Sequence, residues 1–330
     1  MTVSLHPDLF QILRGYAALI PPRCLQFPPH LSTQLIHDVL LEHVLLSPHF
    51  QLYPPSRQYQ KAFWKCIISH LENKLEVGFV SRFLDPIYLT RRVQSETEID
   101  PRIYEHYLDL MNASALHVIF AVFSDLDGQR LPGQGPPSQS YVTHFWKLDN
   151  DRTTSPSAPV DLGAYQTTTL LESRTLTECG TTGLRTWLAS LVLAQYLIHN
   201  PALVQRKRIL ELGSGIGFLG SVVASLQLLV SGSDTSGFAS PGMVCLSDVN
   251  DAVLLRCRDN VHLPCNRSAS HTDMRCCFLD WSAALDPDGI APLASLLHDD
   301  LDADLILGAD IVRLANTSVL RSHRPRVLGV

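Results

Sequence analysis

Residues 209–220, Ile-Leu-Glu-Leu-Gly-Ser-Gly-Ile-Gly-Phe-Leu-Gly, constrain this chain more than any other stretch. An apolar run ends at Glu211, a glycine-dense turn follows, and an amphipathic run continues through Val230. Glycine has no Cβ, so the backbone can turn sharply there and approach a ligand closely. The pattern predicts a strand, a tight loop and a helix whose N-terminus lies beyond the strand end, where open α/β sheets hold ligands. Gly215-Ile-Gly217-Phe-Leu-Gly220 also satisfies the G-x-G-x-x-G dinucleotide fingerprint, which is weakly specific without matching surroundings.

The surroundings favour S-adenosylmethionine over a nicotinamide dinucleotide. Glu211 stands two residues before Gly213, where a carboxylate suits a ligand carrying an ammonium and a sulfonium and suits a pyrophosphate badly. A second apolar strand, Met243-Val-Cys-Leu-Ser-Asp248, ends in an acid able to accept from ribose hydroxyls. Cys276-Cys-Phe-Leu-Asp280-Trp281 places an acid and an aromatic ring at a third strand end, where they can hydrogen-bond and cover an adenine. Ala303-Asp-Leu-Ile-Leu-Gly-Ala-Asp310 is a fourth apolar strand that ends in an acid. Four such strand ends describe a nucleoside crevice in a Rossmann-like α/β sheet, although incidental acids on an ordinary parallel sheet would read alike.

Composition narrows the class. The net charge of −6 argues against broad nucleic-acid binding but not against a basic protein partner. Apolar residues make up 45% of the chain, enough for a core. The N-terminus lacks a basic segment followed by an apolar one, and no stretch approaches the ~20 apolar residues of a membrane span. The eight cysteines form no C-x-x-C pair and read as reduced thiols of a cytoplasmic protein. Cys257, Cys265, Cys276 and Cys277 cluster without finger spacing, so no metal is expected. The sequons at Asn112, Asn266 and Asn316 are then chance matches, and a monomer is expected. Walker A, H-E-x-x-H and G-x-S-x-G patterns are absent.

Residues 1–112 read as a mostly helical domain, 113–160 as a linker or irregular insertion, and 161–330 as the sheet domain. Leu31–Leu46 carries Leu35, Ile36, Val39, Leu40, Val44 and Leu45 near a 3.6-residue period, up to Pro48. A second helix is predicted over 58–75, with Phe63, Trp64, Ile67, Ile68 and Leu71 inward, and a third over 102–111. The aromatics of this region fit a plain helical layer better than a ligand pocket. Tyr141–Trp146 and Thr167–Arg174 alternate as strands, and a helix over about 184–199 is expected to bury Trp187, Leu191, Leu193, Ala194 and Leu197. Ser231–Gly242 reads as a surface insertion.

Glu211-Leu-Gly-Ser-Gly, Leu279-Asp-Trp281 and Gly308-Ala-Asp310 resemble the seven-strand S-adenosylmethionine-dependent protein-lysine methyltransferases. Leu171-Glu-Ser-Arg-Thr, Gly180-Thr-Thr-Gly-Leu-Arg-Thr-Trp187 and the helical segment with Pro54-Pro-Ser-Arg-Gln-Tyr59 are similar to the elongation factor 2 lysine methyltransferase branch. The resemblance implies methyl transfer to a lysine of a cytosolic protein, elongation factor 2 in particular. By position it implies that Trp187 contacts the cofactor, that Gly213, Ser214 and Gly215 wrap its methionine part, and that Asp248 takes the ribose. Asp280 and Trp281 would meet the adenine, Ala309 would line the floor beside the methyl, and Glu211 and Asp310 would supply acidic character on either side. Asp310 is the candidate to orient the substrate ammonium, or else to satisfy backbone donors at a helix start.

Two departures from that family stand out. Asp310-Ile-Val-Arg313 places a cation where the family has an aromatic, beside the expected lysine channel. Residues 314–330 show no strand–helix alternation, which predicts missing last strands, an exposed fourth strand and a C-terminally truncated form. These features support an alternative reading, a catalytically impaired cofactor-binding protein acting as an interaction module.

Overall fold

The computed structural model describes residues 4–83, 99–124, 139–148, 158–178, 180–231, 241–285, 287–310 and 326–329. It divides into two compact units, Met1–Val142 with Thr154–Gly163, and Thr143–Thr153 with Ala164–Val330.

In the first unit the short strand β1 (Ser4–Leu5) leads into helix α1 (Pro7–Ala17), where His6 is the N-cap and Pro7 fits the first helical position. Helix α2 (Thr33–Leu40) starts on Ser32, whose hydroxyl accepts from the Leu35 amide at 3.2 Å. The helix predicted over 31–46 is therefore shorter, and it widens into a π turn over Leu41–Leu45. Its inward face is Ile36, Val39, Leu40, Leu41 and Val44, while Leu35 is 41% exposed. After α3 (Pro48–Leu52), helix α4 (Arg57–Phe83) buries Phe63, Trp64, Ile67, Ile68 and Leu71, the predicted stripe. The Tyr59 hydroxyl donates to the Ile20 carbonyl at 2.8 Å and ties this helix to the end of α1.

Helix α5 (Pro101–Ser124) runs through residue 112 without a break, so the boundary expected there falls inside a helix. The reason is local: Asn112-Ala-Ser-Ala-Leu-His-Val-Ile-Phe120 contains neither glycine nor proline. The helical layer also holds a cleft of about 550 Å³, lined among others by Tyr16, Phe50, Arg57, Trp64 and His106. Residues 125–138 and 149–157 of the linker and 232–240 of the insertion lie outside the described residues.

Strand β2 (Ser140–Trp146) crosses the division at residue 143, with Thr143 onward in the second unit. The two-residue β3 (Val160–Asp161) belongs, like its partner β1, to the first unit, and β4 (Gln166–Glu172) pairs with β2. Helix α6 (Leu188–His199) then precedes β5 (Arg208–Leu212), α7 (Phe218–Ser231), β6 (Met243–Asp248), α8 (Asp251–Val261) and β7 (Met274–Phe278). Helix α9 (Pro287–Ser295), β8 (Leu305–Gly308) and β9 (Arg326–Gly329) complete the order. The main sheet is five-stranded and parallel, in the order β7-β6-β5-β8-β9. The expectation that the fourth strand would be a bare edge is corrected by β9, which pairs with Leu305–Gly308. Arg326-Val-Leu-Gly329 was too short a run to register as a strand beside the arginines that precede it.

Period-two alternation sends side chains to opposite faces of this sheet. Ile209, Val244, Leu246, Leu305 and Leu307 pack in a core with α6, α7 and α8 residues. Leu210, Leu212, Met243, Cys245 and Ile306 pack on the other face with Leu293 of α9 and Leu297 beyond it. Strand β4 is attached to the first of these layers by two buried asparagines. Asn266 Oδ1 accepts from the Thr169 amide and its Nδ2 donates to the Thr169 carbonyl, both at 2.8 Å. Asn260 accepts from the Leu171 amide at 2.8 Å and donates to the Ile216 carbonyl at 3.2 Å. An Asn266→Ala substitution removes both bonds from this side chain to the Thr169 backbone, so urea unfolding should show a loss of about 1–3 kcal/mol. A loss near zero would mean that β4 is held by other contacts.

Candidate cofactor site

The chain turns from β5 to β6 and β7 on one side and reaches β8 on the other, so the strand order reverses at β5. A crevice at the carboxyl ends of the strands is the geometric result of such a reversal. The loop from Gly213 to Gly217 sits there. Gly217 has φ +86°, and a Cβ on it would lie 2.8 Å from Cys257 Sγ and 2.9 Å from Val261. Gly220 lies in α7 against β5 and β6, where a Cβ would collide with Leu246 and lie 3.0 Å from Glu211 Oε2. Ser214 bridges the two central strands: its amide donates to the Ser247 carbonyl at 2.8 Å and its hydroxyl accepts from the Ser247 amide at 2.9 Å.

A small pocket opens at this point, lined by Arg185, Thr186, Trp187, Glu211, Gly213, Ser214, Gly215 and Ala309 among others. Six residues singled out in the sequence thus converge on it. Asp248 adjoins them, its Oδ2 accepting from the Gly215 amide at 3.3 Å and its Oδ1 from the Val249 amide at 2.8 Å. Trp281 lies against Gly213, 3.4 Å from where a Cβ would stand. Asp280 is exposed and accepts from the Ser282 amide at 2.8 Å, and those bonds hold its carboxyl below the usual range. Asp310 is exposed with φ 59° and does not line the pocket. Arg313 lies outside the described residues.

Trp187 requires a correction. It was expected inside a helix starting near residue 184 and buried, yet α6 begins at Leu188 with Trp187 as its extended N-cap, half-buried. Gly183, within van der Waals reach of Val253, and the Ser173 amide bond to Leu184 hold the preceding segment extended. The indole instead donates to the Thr182 carbonyl at 3.0 Å, and the Arg185 guanidinium lies 5.3 Å from its ring centre. Arg185, Thr186 and Glu172 were not singled out from the sequence. The Thr186 hydroxyl donates to Glu172 at 2.6 Å, and burial pushes the Glu172 carboxyl upward. All three sit in the two motifs that carried the resemblance, which was the available signal.

Glu211 dominates the electrostatics. It is 2% exposed, and burial, with smaller contributions from Asp248 and Cys276, pushes its carboxyl up to about 8 against a partial offset from the Gly220 amide. Its Oε2 has no hydrogen-bond partner, and neither has Arg185 Nε, a second buried atom of a pocket-lining residue. An unmet acceptor and an unmet donor fit the ammonium and carboxylate of an amino-acid moiety, so these residues suit S-adenosylmethionine. The enclosed space is about 30 Å³, which admits only a polar end of a ligand. The bulk of a nucleoside would have to lie along the open strand ends by Gly213, Asp248 and Trp281.

The folded protein holds a proton on Glu211 that the unfolded chain releases above about 4.5. Cofactor-free stability should therefore fall as pH rises from about 4.5 to about 8, at up to ~1.4 kcal/mol per pH unit from this group. Glu211→Gln should flatten the slope in denaturant titrations across that window. An identical slope in the variant would assign it to other groups.

Comparison with known proteins agrees with this geometry. A sequence profile of the lysine methyltransferase family matches residues 168–320. The protein-lysine N-methyltransferase EFM3 of Chaetomium thermophilum is 31% identical over 226 residues, covering 68% of this chain and 56% of the relative. The human protein-lysine N-methyltransferase EEF2KMT is 38% identical over 95 residues, 29% of this chain and 25% of that protein. The mouse EEF2KMT is 34% identical over 153 residues, 44% of this chain and 39% of the relative. The chain thus spans little more than half the length of the fungal relative. With its parallel sheet and its glycine loop at the strand-order reversal, the chain carries, over residues 168–320, a match to the lysine methyltransferase domain.

Proposed function

We propose that this chain is an S-adenosylmethionine-dependent protein-lysine N-methyltransferase, and that its substrate is elongation factor 2 in the cytoplasm, with the enzyme acting as a monomer. The observation that carries the cofactor assignment is the paired unmet polarity of Glu211 Oε2 and Arg185 Nε in one pocket. The substrate rests on the likeness of Leu171-Glu-Ser-Arg-Thr and Gly180–Trp187 to the elongation factor 2 branch. No helix of the described residues is long and apolar enough to cross a membrane.

When bound, S-adenosylmethionine supplies an electrophilic methyl group on sulfonium. In this reading Glu211 takes the cofactor's ammonium and Arg185 its carboxylate, while Gly213 and Gly215 let the backbone approach. Asp248 keeps its Oδ2, which has only the 3.3 Å bond from Gly215, for a ribose hydroxyl. Trp281 and Asp280 take the adenine, and Trp187 and Ala309 bound the reacting end. A free lysine has a pKa of ~10.4, so the ammonium must lose its proton to water before it reacts, and in this reading Asp310, two residues beyond the end of β8, orients it. The chain then contributes alignment of nitrogen, methyl and sulfur and needs no covalent nucleophile.

Calorimetric titration of S-adenosylmethionine, S-adenosylhomocysteine and NAD into the 1–330 protein, followed by a transfer assay on elongation factor 2, tests the reading. Saturable binding of the first two without NAD is expected, with Trp281→Ala binding weaker by ~1 kcal/mol, a factor of about five. Binding without transfer would leave the impaired interaction module. Binding of NAD alone would replace the assignment with an oxidoreductase.

A further inference from the structure

Far along the chain from the glycine loop, three side chains of the first unit converge on one carboxylate oxygen. His6 Nδ1 lies 3.7 Å and His30 Nε2 3.4 Å from Asp8 Oδ2. One nitrogen or oxygen from each of the three residues falls within 4.8 Å of the other two. His6 is fixed between β1 and α1, Asp8 stands in the first turn of α1, and His30 sits in the turn that precedes the Ser32 cap.

His6 Nδ1 accepts from the Asp8 amide at 3.3 Å, a long bond that a ligand at the same lone pair would displace. That nitrogen also faces a carboxylate oxygen, itself an acceptor. A cation shared between them, a metal ion or an imidazole proton, answers that pairing. The first-turn position explains why an acid suits residue 8. It does not explain why two imidazoles from separate segments meet the same oxygen.

We propose that His6, Asp8 and His30 form a zinc site, with water as the fourth ligand. The donor set is two imidazoles and one carboxylate, which zinc accepts. Metal–ligand distances of about 2.0–2.1 Å put tetrahedral donors about 3.3 Å apart and octahedral ones about 2.9 Å apart. The separations of 3.4 and 3.7 Å lie on the tetrahedral side, and slight closure on the ion reaches it. Octahedral, oxygen-preferring magnesium fits worse. The ion would replace the long 3.3 Å bond at His6 and join the His30 turn to the start of α1.

The test is zinc chloride titrated into chelator-treated 1–330 protein, read by calorimetry and by thermal unfolding, beside His30→Ala and His6→Asn. His30 is exposed, and asparagine keeps the α1 cap while removing the imidazole, so both variants should fold. The expected result is one equivalent of zinc that each variant binds at least about tenfold more weakly, with a zinc-dependent rise in unfolding temperature that both lose. Cobalt(II) in its place should show no thiolate charge-transfer band attributable to the site that the variants lose. Equal zinc stoichiometry and affinity in wild type and both variants would overturn the proposal, as would absence of saturable binding. Loss of a thiolate band with the site would also overturn it.

Discussion

A carboxylate placed on an interior face of a parallel sheet must be met by something, and much of the second unit is arranged around that demand. Glu211 points toward α7, and only a glycine at position 220 lets the helix come close enough to reach it with a backbone amide. The helix therefore starts immediately after the turn, and the turn takes left-handed conformations at Gly213, Gly215 and Gly217. Burial still dominates, so the acid keeps its proton far above the usual carboxylate range. A ligand ammonium would reverse this balance by giving the ionised form a partner. The same residue thus destabilises the empty fold as pH rises and favours a cationic ligand.

The glycine loop is braced from both sides by side chains that act as substitute strands. Ser214 and Ser247 exchange bonds across β5 and β6, and Ser247 Oγ donates to the Glu211 carbonyl at 2.7 Å. Asn260 bonds both β4 and the Ile216 carbonyl, linking a peripheral strand to the loop through one amide group. Asn266 bonds the Thr169 amide and carbonyl and donates to the Asn260 carbonyl, and it is 4% exposed, which is incompatible with a glycan on the folded protein. A ligand reaching Gly213–Gly215 meets a backbone already held in place, and little ordering is left to oppose binding.

Much of this was legible because period-two and period-3.6 patterns are strong where a face is buried. Strands β5, β6, β7 and β8 and the α4 stripe Phe63, Trp64, Ile67 and Leu71 declared themselves through apolar runs. The cluster of Trp187, Glu211, Gly213, Ser214, Gly215 and Ala309 was reachable because strand ends and glycine turns have fixed relative positions in such sheets. What escaped depends on partners remote in sequence. The start of α6 is set by Gly183 against Val253, β9 by pairing with β8, and the roles of Asn260 and Asn266 by β4. Arg185 became notable only when its Nε was seen buried without a partner.

The strand-order reversal also governs how the site comes into being. Arg208 receives its amide partner from Asp304, 96 residues away, and β5 meets β8 only when that loop has closed. Pairing of β5, β6 and β7 alone makes half a crevice, with Ala309 still absent. Because long closures are slow and cooperative, the pocket should belong to the last-formed, globally folded state. A ligand for it would then act as a kinetic brake on unfolding rather than as an early organiser of folding.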